Sequence, residues 1–275
     1  MATQQEKAVA FQALHEGPGA FIIPNPWDAG TARILASLGF PALATTSFGV
    51  SNVLGREDAR VTGDEVLDNC RVIASATSLP VNVDLENGFA DEPVAAASMI
   101  GLAAQAGAVG GSIEDATGNR DRPIYDFQLA VERVQAAVEA AQALPFPFVL
   151  TARAENLLHG RDDLDDTVKR LQAFEEAGAD VLYAPGLKDL ETIRSVVAAV
   201  NKPVNVVMGF ADPTITVDQL SDVGVKRISI GGALSRFALA AVVKAAREVR
   251  EEGRFTFLRE ALPATEILGI FRGAK

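Results

Sequence analysis

Cysteine is almost missing from this 275-residue chain. The single thiol, Cys70, permits no internal disulfide and fits a reducing compartment, the cytoplasm. Histidine is nearly as scarce. His15 and His159 have no metal-ligand spacing, so each reads as a surface residue rather than a catalyst. Positive charge is in deficit, with 25 Lys and Arg against 36 Asp and Glu, a net charge of −11. Such a chain does not draw nucleic acid or anionic lipid through its net charge. A small anionic substrate therefore needs a local cation, from a metal or an arginine. Met1 to Ala10 carries charges and has no apolar core of signal-peptide length. The longest uncharged run, Pro93 to Ile113, has the length of a membrane span but is rich in Ala and Gly and holds Ser98, Gln105 and Ser112. It reads as a helix, a glycine turn and a strand, so no membrane partner is expected. There is no domain-scale linker and no low-complexity block.

What is present is a repeating grammar. Helical segments end at a Gly or a Pro and a short apolar strand follows. The glycine-led units are 37–47, 105–115, 176–186 and 222–232; the proline-led units are 78–88, 144–155 and 201–209. They alternate strictly, and an opening strand at 20–26 makes eight. Gly just past a helix takes the left-handed cap at low steric cost, and Pro stops helix propagation. Amphipathic stretches of helical length, such as 126–143, 164–177 and 233–251, lie between the strands. Short apolar strands alternating with helices imply βαβ units and a parallel sheet. Eight units in a 48% hydrophobic chain of this length favour a closed (β/α)₈ TIM barrel over a doubly wound sheet. Residues 1–275 thus read as one domain, with 255–275 as a C-terminal extension. That tail carries an apolar run from Ile267 to Phe271, which calls for a surface to cover, on a partner subunit or on its own barrel.

Barrel active sites lie at the C-terminal ends of the strands. Those ends carry Thr45-Thr46-Ser47 on strand 2, Asp84 and Glu86 on strand 3, Glu114-Asp115 on strand 4, and Arg153 and Glu155 on strand 5. Asp84 and Glu86 are two apart and point the same way in a strand, and Glu114 comes from the neighbouring strand. Three hard carboxylates suit Mg²⁺, with Mn²⁺ as the alternative, some acting through water. The competing role is salt bridging or helix capping. Arg153 suits a bidentate carboxylate or phosphate contact, or else neutralises Glu114 or Glu155. Thr45, Thr46 and Ser47 offer donors for an anionic group, or ordinary turn chemistry. Gly231-Gly232 before a helix suits either a phosphate cup or a tight turn. Cys70 reads as a packed thiol, and Trp27 as a residue of the mouth or of the rim packing.

Taken together, PNPWDAGTARIL (24–35), LGREDAR (54–60), VNVDLENGF (81–89), GGSIED (110–115) and LTARAENLL (150–158) resemble the isocitrate lyase / phosphoenolpyruvate mutase superfamily. The similarity spans about residues 20 to 250 and lies nearest the short bacterial 2-methylisocitrate lyase and oxaloacetate decarboxylase branches. The resemblance implies a barrel with Mg²⁺ and an enolate intermediate. It makes Asp84 the direct metal ligand, with Glu86 where the family usually has Asp, and it adds Glu114. It places Asp58 and Arg153 among the catalytic residues, and Thr45, Thr46, Ser47 and Arg153 on the substrate carboxylate. It also implies exchanged C-terminal helices in a homodimer or homotetramer. One departure is plain. The isocitrate and methylisocitrate lyases carry a Cys- and His-bearing gating loop after strand 4, whereas 116–126 reads ATGNRDRPIYD. Their proton donor is missing, the phosphonate branch's Asn-bearing loop is matched poorly by Asn119-Arg120, and the strand 6 glutamate is absent from LYAPG. The expectation is a Mg²⁺-dependent lyase or decarboxylase on a small 2-oxo or 2-hydroxy (di)carboxylate. Its rivals are phosphonopyruvate or phosphoenolpyruvate chemistry and a non-catalytic 2-oxo acid binding protein.

Overall fold

A computed structural model describes residues 2–273. The outer ends of the expected domain and of its 255–275 extension, Met1, Ala274 and Lys275, therefore lie outside the described residues. The eight strands are β1 (Phe21–Ile23), β2 (Leu43–Ala44), β3 (Val81–Asp84), β4 (Gly110–Glu114), β5 (Val149–Arg153), β6 (Val181–Tyr183), β7 (Val204–Val207) and β8 (Arg227–Ser229). All pair in parallel, and β1 lies against β8. In a doubly wound sheet the first and last strands do not meet. Here the ring closes between β1 and β2, where the Ala44 N–H donates to the Pro24 carbonyl at 3.1 Å. Asn25 reinforces the seam. Its Nδ2 donates to the Thr45 carbonyl, and its Oδ1 accepts from the N–H groups of Ile230 and Gly231.

The helices follow from local chemistry. α1 (Gln4–Glu16) and α4 (Gly63–Ala76) begin with reciprocal Thr–Glu capping boxes, Thr3 with Glu6 and Thr62 with Glu65. α2 (Ala29–Ser37) is capped by Asp28, and α3 (Ser47–Leu54) is an extra helix inside the β2 connection. α5 (Pro93–Gln105) and α7 (Leu164–Glu176) run into Gly107 and Gly178, whose φ angles of 97° and 102° allow the turn back into the next strand. The uncharged run 93–113 is therefore α5, a turn and β4. Among the described residues, no helix is long and apolar enough to cross a membrane. α6 (Phe127–Gln142), α8 (Leu190–Ala198), α9 (Val217–Asp222) and α10 (Ala233–Arg247) complete the outer ring.

Two features depart from the barrel alone. α1 plugs the N-terminal end of the barrel, where Ala8 and Phe11 pack among Val109, Val149 and Val181. Gly110 makes room for that plug, because a Cβ there would sit 2.7 Å from the Phe11 ring. At the other extreme, α10 buries little beyond Ser235. It leaves Phe237, Val242 and Val243 exposed. A final helix, α11 (Ala264–Arg272), lies against α2 of its own barrel, with Arg33 donating to the Phe271 carbonyl at 3.0 Å.

Candidate active site

The C-terminal strand ends surround a cavity of ≈ 360 Å³. Thr45, Thr46, Ser47, Asp58, Asp84 and Arg153 all contribute to its wall. Glu86 and Glu114 stand behind that wall rather than on it.

Arg153 organises the centre. Its guanidinium reaches Asp84 Oδ1 at 2.8 Å, Glu114 Oε2 at 2.9 Å and Glu155 Oε1 at 2.7 Å. Burial pulls the Arg153 pKa down, but the charges of Glu114, Glu155 and Asp84 outweigh it and hold the group well above its ordinary range. Of the two sequence readings of Arg153, neutralisation is the one its contacts match. It neutralises Glu114 and Glu155, and it also faces the cavity.

Asp84 is held from the other side by the β2 turn. The Asp84 N–H donates to Thr45 Oγ1 at 2.9 Å, and the Ser47 N–H donates to Asp84 Oδ2 at 3.1 Å. Glu86 takes a left-handed backbone, φ 47°, which is uncommon for a residue with a side chain. Its Oε1 is buried and has no hydrogen-bond partner among the described residues. Burial, then the charges of Asp84 and Asp58, push its pKa up to about 8. Glu114 is pushed well above the carboxylate range, by burial first, against the opposing charge of Arg153. Asp58 reaches the cavity from the loop after α3, where desolvation first and the Asp84 charge next raise its pKa.

Among the described residues, no three carboxylate, imidazole or thiol side chains converge in ligand geometry. The expected set of Asp84, Glu86 and Glu114 is therefore not drawn together on one point. Asp84 and Glu114 meet instead at the Arg153 guanidinium. The donor set still fits a hard divalent cation. The groups are all carboxylate oxygens, and the orphaned Glu86 Oε1 beside Asp84 is the kind of buried atom that calls for a cation.

Behind the site stand supporting residues to which the sequence assigned no role, although Asp115 was placed at a strand end. Asp115, buried behind the site, accepts from the Glu155 N–H at 2.8 Å and from Arg170 at 3.1 Å. Arg170 also bonds Asp166 and the Tyr125 carbonyl. Burial, opposed by these donors, brings Asp115 up to about 6. Arg133, 1% exposed, donates to the carbonyls of Asn87, Ala90 and Asp91 and lies over the Tyr125 ring. It fixes the turn that gives Glu86 its backbone. A mid-helix arginine in VERVQ carries no local sign of that role.

The remaining candidates fall into place. Gly231 and Gly232 line the cavity, and Gly232 packs so tightly on Phe48 that a Cβ would lie 2.5 Å from its ring. Close packing thus accounts for that glycine. Cys70 is a buried thiol whose pKa burial raises to about 12. Trp27 packs at the rim, against Gly49, and its carbonyl accepts from Asn69. His159 lies near the Glu155 carboxylate, 3.9 Å away. His15 is half-buried rather than exposed. It sits edge-on between Phe11 and Phe21 and faces Arg227.

A parallel barrel with a polar, charged cluster at its C-terminal mouth has the site layout of barrel enzymes. The chain belongs to the phosphoenolpyruvate phosphomutase family, whose model matches residues 11–250. It is 31% identical to the 2-methylisocitrate lyase of Escherichia coli strain K12, over 77% of this chain and 73% of that protein. With the oxaloacetate decarboxylase of Bradyrhizobium diazoefficiens it shares 28% identity, over 94% and 87% of the two chains. A solved structure from Burkholderia cenocepacia J2315 shares 57% identity and superposes with a TM-score of 0.95, covering 98% of this chain and 96% of that one.

Proposed function

We propose that this protein is a divalent-cation-dependent carbon–carbon lyase or decarboxylase acting on a small 2-oxo or 2-hydroxy (di)carboxylate. The observation that carries the reading is Arg153, buried at the mouth and bonded to Asp84 and Glu114 beside the unpartnered Glu86 oxygen. The relatives point the same way, since they include a named lyase and a named decarboxylase.

Asp84 and Glu86 would hold the cation, Mg²⁺ or Mn²⁺, with Glu114 behind them. Such an ion supplies Lewis-acid polarisation of an oxygen next to the scissile bond. The chain's own residues do the rest. Thr45, Thr46 and Ser47 orient a carboxylate chiefly with their hydroxyls. Arg153 stabilises the negative charge that develops when the carbon–carbon electron pair becomes an enolate. In a decarboxylation the departing group leaves as CO₂, and the enolate carbon then takes one proton. Asp58, with its raised pKa, is positioned at the cavity to move that proton. This route needs no cysteine acid, which suits a 116–126 loop built from Thr117, Asn119 and Pro123.

A second reading, phosphonopyruvate or phosphoenolpyruvate chemistry, is favoured by the description of the matching family model. A Mg²⁺-dependent assay over a panel of 2-oxo and 2-hydroxy acids, with phosphonopyruvate included, separates the two. Turnover of an oxaloacetate-like acid supports the lyase. Phosphate release from phosphonopyruvate supports the rival, and tight binding without product from any member supports a binding protein. The exposed Phe237, Val242, Phe255 and Leu258 support a homodimer or homotetramer in which a partner subunit covers this face.

A further inference from the structure

The same cavity has a floor of unusual chemistry. TIM-barrel interiors are ordinarily filled with layers of Val, Ile and Leu. Here the inward positions beneath Asp84 and Arg153 are Asn82, Ser112, Thr151, Asn205, Arg227 and Ser229, all buried. All of these except Thr151 line the cavity.

Arg227 is 3% exposed and has only neutral partners. Its Nε–H donates to Asn205 Oδ1 at 2.9 Å, one Nη2–H to Thr151 Oγ1 at 2.8 Å, and Nη1 lies 3.3 Å from His15 Nε2. His15 Nδ1 lies 2.8 Å from the Phe11 carbonyl. That contact assigns the ring proton to Nδ1 and leaves Nε2 to accept from Arg227. Among the described residues, no carboxylate forms an ion pair with this guanidinium. A buried charge without a counter-charge is strongly destabilising. Arginine has five N–H donors, and these contacts use three of them.

Other donors point at the same space. Asn82, 5% exposed, makes no side-chain hydrogen bond among the described residues, and its Oδ1 is wholly covered. Its NH₂ group is thus a donor with no acceptor among the described residues, on a residue that lines the cavity. Ser229 Oγ accepts from Asn205 at 3.1 Å and keeps its own O–H to give. The layer thus gathers spare donors and one uncompensated positive charge.

We propose that this floor is an anion subsite, in which Arg227, with Asn82 and Ser229, receives a second carboxylate of the ligand whose first end lies at Arg153. The proposal rests on the reading above that the ligand is a small carboxylate, and it narrows that class to dianions. Chain length becomes the selector, because one ligand has to reach both the mouth and the floor. His15 is then a positioning residue, held by α1, that keeps Arg227 aimed without neutralising it.

The test measures binding, with no turnover involved. Oxalate, malonate, succinate and glutarate are titrated by calorimetry into the full chain in EDTA, so that the mouth's cation plays no part. One chain length should bind best, and propionate should bind at least about tenfold more weakly than that dianion. Arg227→Met should cost the preferred dianion at least about tenfold in Kd and erase the preference over propionate. Its thermal midpoint should be at or above that of the parent chain, because an unpaired buried charge has been removed. If Arg227→Met does not fold, Asn82→Leu fills the subsite from the opposite wall and should give the same loss. Equal dianion affinity in parent and variant, within about twofold, overturns the proposal, as does a parent chain blind to the second carboxylate. A catalytically silent protein that still shows the Arg227-dependent preference sinks the lyase reading and leaves the subsite standing.

Discussion

Arg153 and Arg227 line the same cavity of this barrel, and their surroundings could hardly differ more. Arg153, at the mouth, is bonded to three carboxylates. Arg227, near the plugged end, is bonded to an amide, a hydroxyl and a neutral ring. Burial pulls both pKa values down. At the mouth the carboxylates more than reverse it, whereas Arg227 is left lowered to about 9. Residue type and burial are shared, so the neighbours alone decide what each can do. Arg153 holds excess negative charge in order, in a place where a cation fits. Arg227 offers its charge to whatever reaches it.

The sharpest way to break this contrast is to remove the mouth arginine. Arg153→Met leaves Asp84, Glu114 and Glu155 facing one another without their cation, in a site that excludes most solvent. Once a substrate is in hand, kcat/KM should fall by at least about 10³-fold, from lost orientation and lost charge stabilisation together. Loss of less than about tenfold would show that Arg153 only neutralises its neighbours.

Titration sharpens the mouth further. In the absence of metal, the Glu86 pKa is up to about 8, raised mainly by burial. Below about pH 4.5 the group is protonated in both folded and unfolded chains and contributes no slope. Between that value and about 8 the unfolded chain ionises and the folded chain resists. Metal-free stability should therefore fall as pH rises through this window, by at most about 1.4 kcal/mol per pH unit from this group. Denaturant titration of the EDTA-treated chain checks it. Glu86→Gln should flatten the slope and raise metal-free stability at pH 8, and saturating Mg²⁺ should flatten it in the parent chain.

A smaller effect lies behind the site. Asp115 accepts the Glu155 N–H and pairs with Arg170, so it fixes the carboxylate that braces Arg153. Asp115→Asn keeps one acceptor but turns N–H groups toward Arg170. Activity should drop about 10–100-fold, the usual penalty for a lost supporting contact at such a site. Asp115→Glu should recover part of it, which a purely packing role would not allow.

How much of this was legible beforehand differs between the two ends. Glycine and proline punctuation located seven strands and the opening apolar run the eighth, and the strand-end rule then put Asp84, Arg153 and Thr45–Ser47 at one mouth. What it left open there was whether Arg153 pairs with those carboxylates or leaves them free. Three carboxylates at one level suggest a ligand set, but two of them are taken by the guanidinium. The floor was not read, because its chemistry depends on which residues of distant strands share a level. His15 meets Arg227 across 212 positions of sequence, and no local pattern joins KRIS to ALHE. A signal did exist. Thr151 stands two before Arg153 and Arg227 two before Ser229, so period-two register puts polar groups where a barrel interior should be apolar. Arg170 and Arg133 carried no such trace, since helix arginines ordinarily face water.

The smallest expected effect concerns the floor and has the opposite sign to that of Glu86. Burial first, then the Arg227 charge, lower the His15 pKa to about 3. Above about pH 6.5 the ring is neutral in both states. Below that value the unfolded chain gains a proton that the folded chain refuses, so stability is lost as pH falls toward 3. His15→Gln keeps an acceptor for Arg227 and has no proton to gain. It should remove this part of the acid slope while leaving the alkaline, Glu86-dependent slope untouched. Stability curves of the two single variants and the double variant, between pH 4.5 and 8, decide it. Additive slopes show that mouth and floor titrate as independent electrostatic compartments. A His15→Gln curve that moved the alkaline limb would show instead that the two arginines sense each other through the cavity they share.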